Sequence, residues 1–454
     1  MDDNVEFHQV SSNDEHSSNS NNDTTQDVEQ IYQSGDGNSQ KNSCSELSSD
    51  SDKDVTKVGD DISLFRAVIL LLNIIIGVGL LSIPYCFKTG VILNSLVIFF
   101  IGLFALISFI FLIDASITSH ITNYSILIRA AFEKNFEWIP NTLNVLTMFG
   151  VGILHLQYSC SMMQTFFDEL KTWMTIPEWC YNRWFLISLP AFVIDLPLML
   201  LRSISGLSYV SMFTVVLIGV HLIHSTYFFG DSLYRDGFDP NKEIKYFELN
   251  QYVIPSLSMQ AFSFTCHPVF FPTMNKLRKP TRKRQYTLIT IVIIIAGFTY
   301  FIGGLLPYLT KFEQINSAIV FAAYTEGHPF TIIMKILYGV FLLVTTPLIL
   351  YACRTSLNDL VFRTAFTTIR YYVMGIAILI LATILAVTVE SIPTMFGFVG
   401  GVTCTLLVYV LPSVYYIRIC KKESRIKTAI AWLMIPIGIA LLSVCLYDSI
   451  RSLI

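Results

Sequence analysis

Asn73, Gly77, Gly79 and Pro84 stand inside one apolar run, N-I-I-I-G-V-G-L-L-S-I-P-Y from Asn73 to Tyr85. A plain membrane anchor has no use for that combination. Glycine and proline loosen a helix, and in lipid every freed backbone group must be satisfied by protein, water or a bound ligand. Half-helix N-termini carry partial positive charge and can hold a carboxylate. Carbonyls freed at such a break can hold an ammonium group or a sodium ion, and an amino acid offers both kinds of group. Small residues also make helix-packing faces. Asn73 one turn before the glycines and Pro84 after them favour a broken, ligand-facing helix.

The theme recurs in the sixth apolar span, where Ser263 to Pro272 reads S-F-T-C-H-P-V-F-F-P. Proline removes a donor and disturbs the turn before it, which leaves carbonyls near Ser263 and Phe264 to accept bonds. Ser263, Phe264 and Thr265 are therefore expected to line a substrate site. An imidazole ordinarily titrates near neutrality, so His267 is a possible proton-linked residue, or else a buried histidine hydrogen-bonded to backbone. Thr345 and Thr346, before Pro347 in the eighth span, offer hard hydroxyl oxygens to a small cation, although threonines also pack helices in membranes. Asp195 is expected to pair with Arg202 or a loop base, and Lys335 to snorkel to the headgroups. His155 and Gln157 could line a cavity. His221 and His224, one turn apart, resemble a metal pair without a third ligand and read as packing. Nine cysteines with no C-x-x-C pair suggest neither a metal site nor a disulfide framework.

The elements that must position these residues are membrane helices. The chain has 454 residues, 53% hydrophobic and 14% charged, where a soluble domain is usually about a quarter charged. From residue 64 onward eleven apolar spans are expected, each near the ~20 residues that cross a bilayer. They run 64–87, 91–113, 141–167, 184–201, 207–229, 251–272, 286–308, 329–350, 369–389, 393–416 and 428–449. The interrupted first and sixth stand five spans apart, the separation of two inverted repeats that each open with a discontinuous helix. The eleventh span is an addition.

Residues 1–62 form an acidic, Ser/Asn-rich segment too polar to fold. Residues 1–61 hold 15 of the 33 acids and only Lys41, Lys53 and Lys57 of the bases. No apolar signal segment opens the chain. The run Ser45 to Asp54 places serines beside acids, so the tail could be phosphorylated and meet cytosolic regulators. Positive charge orients the spans. With the tail in the cytosol, cytoplasmic segments hold 20 bases and opposite segments 8, much of the bias coming from six bases between Lys276 and Arg284. The C-terminus then faces outward or into a lumen. The sequons at Asn22 and Asn123 both fall on the cytosolic side and are expected to stay unglycosylated.

Leu72 to Val91 resembles the opening signature of the amino acid/auxin permease family, N-x-x-x-G-x-G-x-L-x-x-P-Y. The stretch A-F-S-F-T-C-H-P-V-F-F-P, followed by K-L-R-K-P-T-R-K-R, is similar to the sodium-coupled neutral amino acid transporter branch. So is T-T-P-L-I-L-Y-A-C-R-T-S-L-N-D-L from Thr345 to Leu360, and P-L-M-L-L-R-S-I-S-G-L-S-Y-V-S from Pro197 to Ser211 matches a further family pattern. The resemblance covers residues 63–454. It implies an all-α LeuT-type transporter of eleven helices, a 5+5 inverted repeat plus one, working by alternating access. It also implies that Gly77, Val78 and Gly79 hold the substrate carboxylate. Asn73 with Thr345 or Thr346 would take the cation. Many relatives carry an acid where this chain has Lys276, which removes any role for that acid here. Vacuolar exporters share the first signature, so plasma membrane and vacuole or lysosome stay open.

The expected function is secondary active transport of an amino acid, preferably neutral, coupled to Na⁺ or H⁺ and needing no other cofactor. The alternative is an amino-acid sensor signalling through its tail. No nucleophile–base pair, metal spacing, nucleotide loop or pore ring supports an enzyme or a channel, and nothing suggests nucleic acid. Amino acid, ion and bilayer are the expected partners.

Overall fold

A computed structural model describes residues 62–132, 136–171, 174–201, 207–237, 244–315, 318–324, 327–420 and 424–452. Residues 1–61 of the acidic segment, with its serines and Asn22, lie outside the described residues.

Among these residues the chain is helical. The helices are α1 (Leu64–Ile75), α2 (Gly79–Cys86), α3 (Val91–Ser119), α4 (Trp138–Leu170), α5 (Arg183–Leu200) and α6 (Leu207–Asp236). They continue with α7 (Val253–Ser263), α8 (His267–Asn275), α9 (Arg282–Lys311), α10 (Pro329–Val361), α11 (Thr368–Thr388), α12 (Ile392–Ile419) and α13 (Arg425–Arg451). Nine of the described helices are long and apolar enough to cross a membrane, and the bent pair α1–α2 makes ten. The sixth span, expected to be interrupted, is two short helices, α7 and α8, of 11 and 9 residues.

Local chemistry sets several ends. Ser63 accepts a hydrogen bond from the Arg66 amide and caps α1, as a serine at that position does. Thr281 caps α9, Thr367 caps α11 and Ser424 caps α13 in the same way. The last carbonyls of α11 are taken by side chains from elsewhere. Arg183 donates to Ala386, Val387 and Val389, and Gln157 donates to Val389 at 2.5 Å. A guanidinium at a helix C-terminus also meets the negative end of its dipole.

Apolar side chains face outward as well as inward. Phe99, Ile294, Val373 and Trp432 are each about three-fifths or more exposed. A soluble monomer rarely shows so much apolar surface, and a bilayer is the solvent that suits it. The chain is a multi-pass membrane protein.

On the side expected to be cytosolic, the backbone just before α1 pairs with the backbone just after α8. The Ile62 amide donates to the Lys276 carbonyl at 2.8 Å, and the Arg278 amide donates to the Ile62 carbonyl at 3.0 Å. Lys276 thus contributes its carbonyl to a main-chain latch. Nearby, fully buried Asp114 of α3 receives Arg282 and Tyr286 of α9 and, at 2.7 Å, Lys427 of α13.

Candidate substrate and ion site

Residues 76–78 separate α1 from α2, which meet at 57°. The Ile76 amide closes α1 on the Leu72 carbonyl at 2.8 Å. The Leu80 and Leu81 amides then reach back only to Gly77 and Val78. Residues 264–266 separate α7 from α8. Pro268 stands in the first turn of α8, where a missing N–H costs nothing. Both interruptions expected from glycine and proline are present.

The two breaks touch. A Cβ added to Gly79 would lie 2.5 Å from Ser263 Oγ and 3.1 Å from Ser263 Cβ, so only glycine lets the start of α2 approach the end of α7 this closely. Ser263 turns its hydroxyl back to the Met259 carbonyl and Thr265 turns its own to Ala261, each at 2.7 Å. Phe264 is fully buried, its ring against Gly102 of α3 and edge-on to Tyr300 of α9. Its side chain is therefore a packing residue, and any contact it makes with a ligand is through its backbone. The Ser263 carbonyl, expected to be free, meets the Tyr300 hydroxyl at 2.8 Å.

Gly77 and Asn73 are partly exposed, while Val78 is buried. Thr345 and Thr346 are buried on α10, their hydroxyls donating to the Phe341 and Leu342 carbonyls at 2.7 Å. Thr345 Oγ1 also lies 3.2 Å from His155 Nδ1 of α4, the helix against which α10 packs most extensively. His155 therefore belongs with Thr345, whereas Gln157 points to the end of α11.

His267 is fully buried. It stacks on Phe109 at 3.9 Å, and its Nε2 lies 3.0 Å from Ser108 Oγ. Ser108 in turn donates to the Val408 carbonyl, so α3, α8 and α12 are joined at one imidazole. His267 Nδ1 has no hydrogen-bond partner among the described residues.

Of the other polar groups, Lys335 falls differently from expectation. Lys335 does not reach the headgroups. It is 2% exposed and pairs with Glu169 of α4 at 2.8 Å, because a buried ammonium next to a carboxylate needs no water. Asp195 is buried with Oδ1 unpartnered among the described residues, and Arg202 lies outside them. His221 and His224 sit among Phe321, Tyr324, Phe330 and Tyr338, and no group of three metal-ligating side chains occurs among the described residues.

Two tyrosines went unread in the sequence. Tyr158 of α4 donates to the Ala318 carbonyl at 3.1 Å and meets the Ser82 hydroxyl of α2. Tyr300 lies between the two breaks. Each is one aromatic residue in an apolar run, and only its spacing from the interrupted helices in space, not in sequence, marks it.

The model of a family described as "transmembrane amino acid transporter protein" matches residues 60–451. The chain belongs to that family. It is 24% identical over 430 residues to sodium-coupled neutral amino acid transporter 4 of Pongo abelii, covering 78% of this chain and 77% of that one. The human transporter of the same name is 24% identical over 431 residues, with the same coverage. Among solved structures, MhsT in complex with L-phenylalanine superimposes with a TM-score of 0.58 at 10% identity, covering 87% of this chain and 100% of that one. Mhp1, a nucleobase-cation-symport-1 family transporter, gives 0.56 at 14% identity over 86% and 92%. At such identity the likeness shows the fold, which is LeuT-type. This family member is an amino acid transporter, not an enzyme.

Proposed function

We propose that this chain moves neutral amino acids across its membrane by alternating access, coupled to Na⁺. The observation that carries this reading is the meeting of the two helix breaks at Gly79 and Ser263. There the N-terminal end of α2 offers amides to a carboxylate and the carbonyls of residues 264–266 can take an ammonium group. The substrate site comprises Gly77, Val78 and Gly79 with the backbone of Ser263, Phe264 and Thr265. No acid or base stands among these residues, which favours a neutral side chain. Asn73, Thr345 and Thr346 form the cation site, and the sodium-coupled relatives support Na⁺ as its ion. The N-terminus is cytosolic, as the distribution of bases favours.

A second reading couples transport to H⁺ through His267, and its unpartnered, buried Nδ1 favours it. Uptake of a labelled amino-acid panel, with sodium replaced by choline and external pH varied, separates the two. Neutral amino acids entering only with sodium support the first reading. Uptake indifferent to sodium but driven by an inward proton gradient overturns it for the second. Binding without uptake under any gradient would make the chain a sensor.

A further inference from the structure

Tyr300 of α9 places its hydroxyl 2.6 Å from the Ile75 carbonyl and 2.8 Å from the Ser263 carbonyl. Ile75 is the last residue of α1, and Ser263 is the last residue of α7. Both carbonyls are thus at the negative end of a helix dipole, and both helices stop at a break. A phenol carries one proton and can donate it to only one of the two at a time. The ring is fully buried and held edge-to-face on Phe264 at 5.2 Å. Two convergent, buried helix C-termini call for positive charge between them, and oxygen ligands of this kind suit a small hard cation. Such a cation would have to occupy the place of this hydroxyl.

We propose that Tyr300 is the positioning residue that joins the two breaks, its hydroxyl proton standing where a bridging cation would otherwise sit, so that the coupling ion binds elsewhere. This rests on reading the breaks as the ligand site. Its consequence is specific. Removing the hydroxyl leaves two facing carbonyls without a donor, and a monovalent cation is then drawn between them.

The test is thermal unfolding of the purified full-length protein and of Tyr300→Phe, without amino acid, in sodium chloride and in choline chloride of equal ionic strength. Y300F is expected to melt several degrees below the wild type in choline. Sodium should then raise its melting temperature by clearly more than it raises that of the wild type, and the rise should saturate, as binding to the folded state requires. Equal sodium-induced shifts in the two proteins would overturn the proposal, since water would then be filling the gap. If Y300F cannot be recovered folded, Tyr300→Lys places a fixed ammonium between the carbonyls. That variant must fold and must show no sodium shift beyond that of the wild type, and its failure to do either overturns the proposal. A wild type that moves no amino acid would defeat the transporter reading and leave this comparison standing.

Discussion

Lys335 of α10 and Glu169 of α4 form a 2.8 Å ion pair with both side chains at most 5% exposed. The ammonium also donates to the Tyr324 carbonyl at 2.9 Å, just after the short turn Val320–Ala323. The other side of that turn is held by Tyr158 through the Ala318 carbonyl. The connection between α9 and α10 is therefore tied to α4 and α10 by two buried donors.

Removing one charge of the pair leaves the other buried without compensation, a loss of about 3–5 kcal/mol. Lys335→Met and Glu169→Gln should each lower the melting temperature of the purified protein markedly. The double variant K335M/E169L should lose less than the sum of K335M and E169L. Additive losses would show that the two groups do not depend on each other.

Gly79 has no room for a methyl group, because Ser263 Cβ would stand 3.1 Å away. Gly79→Ala should separate the two breaks and cost about 1–3 kcal/mol through overpacking. It should reduce amino acid uptake far more than it reduces surface expression. Combining it with Ser263→Gly, which clears the crowding atoms, should recover part of the loss. Uptake that is unchanged in G79A would mean that the close approach is not needed.

Asn73→Ala should abolish the sodium dependence of uptake, and Thr345→Ala should raise the sodium KM about tenfold or more, the effect of losing ~1.4 kcal/mol of ion binding. Uptake measured against sodium concentration checks both. Unchanged sodium-driven transport in N73A would remove Asn73 from the cation site.

Asn123 uses its side-chain oxygen to accept from the Ser125 and Ile126 amides at 2.9 and 3.1 Å. It stands on the side proposed to be cytosolic from the distribution of bases, so it should carry no glycan. Endoglycosidase treatment of protein from eukaryotic cells should leave its mobility unchanged, and a shift lost in Asn123→Gln would reverse the orientation.

What the sequence made legible was local. Glycine and proline have backbone consequences that do not depend on the rest of the chain, so the breaks near Gly77 and before Pro268 could be placed from spacing alone. The division between the ninth and tenth spans near Glu390 was the weakest in the sequence, because only a short linker marks it, and α11 and α12 are parted there, at residues 389–391. The partners of buried polar groups were not legible, because each lies far away in the chain. Lys335 and Glu169 are 166 positions apart, and Ser108 reaches Val408 across 300. Lys335 looked like a snorkelling base because the sequence does not reveal which helix faces which. Tyr300 was hidden for the same reason. Its importance comes from where two distant carbonyls end, and no residue near it in the sequence signals that.

The central claim is that the paired breaks move an amino acid across the membrane rather than merely hold one. It is tested most directly in sealed proteoliposomes holding the purified protein, by uptake of a labelled neutral amino acid under an inward sodium gradient. The account predicts accumulation above equilibrium that collapses when the gradient is dissipated and is lost in G79A. Saturable binding to the protein with no label entering the vesicle interior would contradict it.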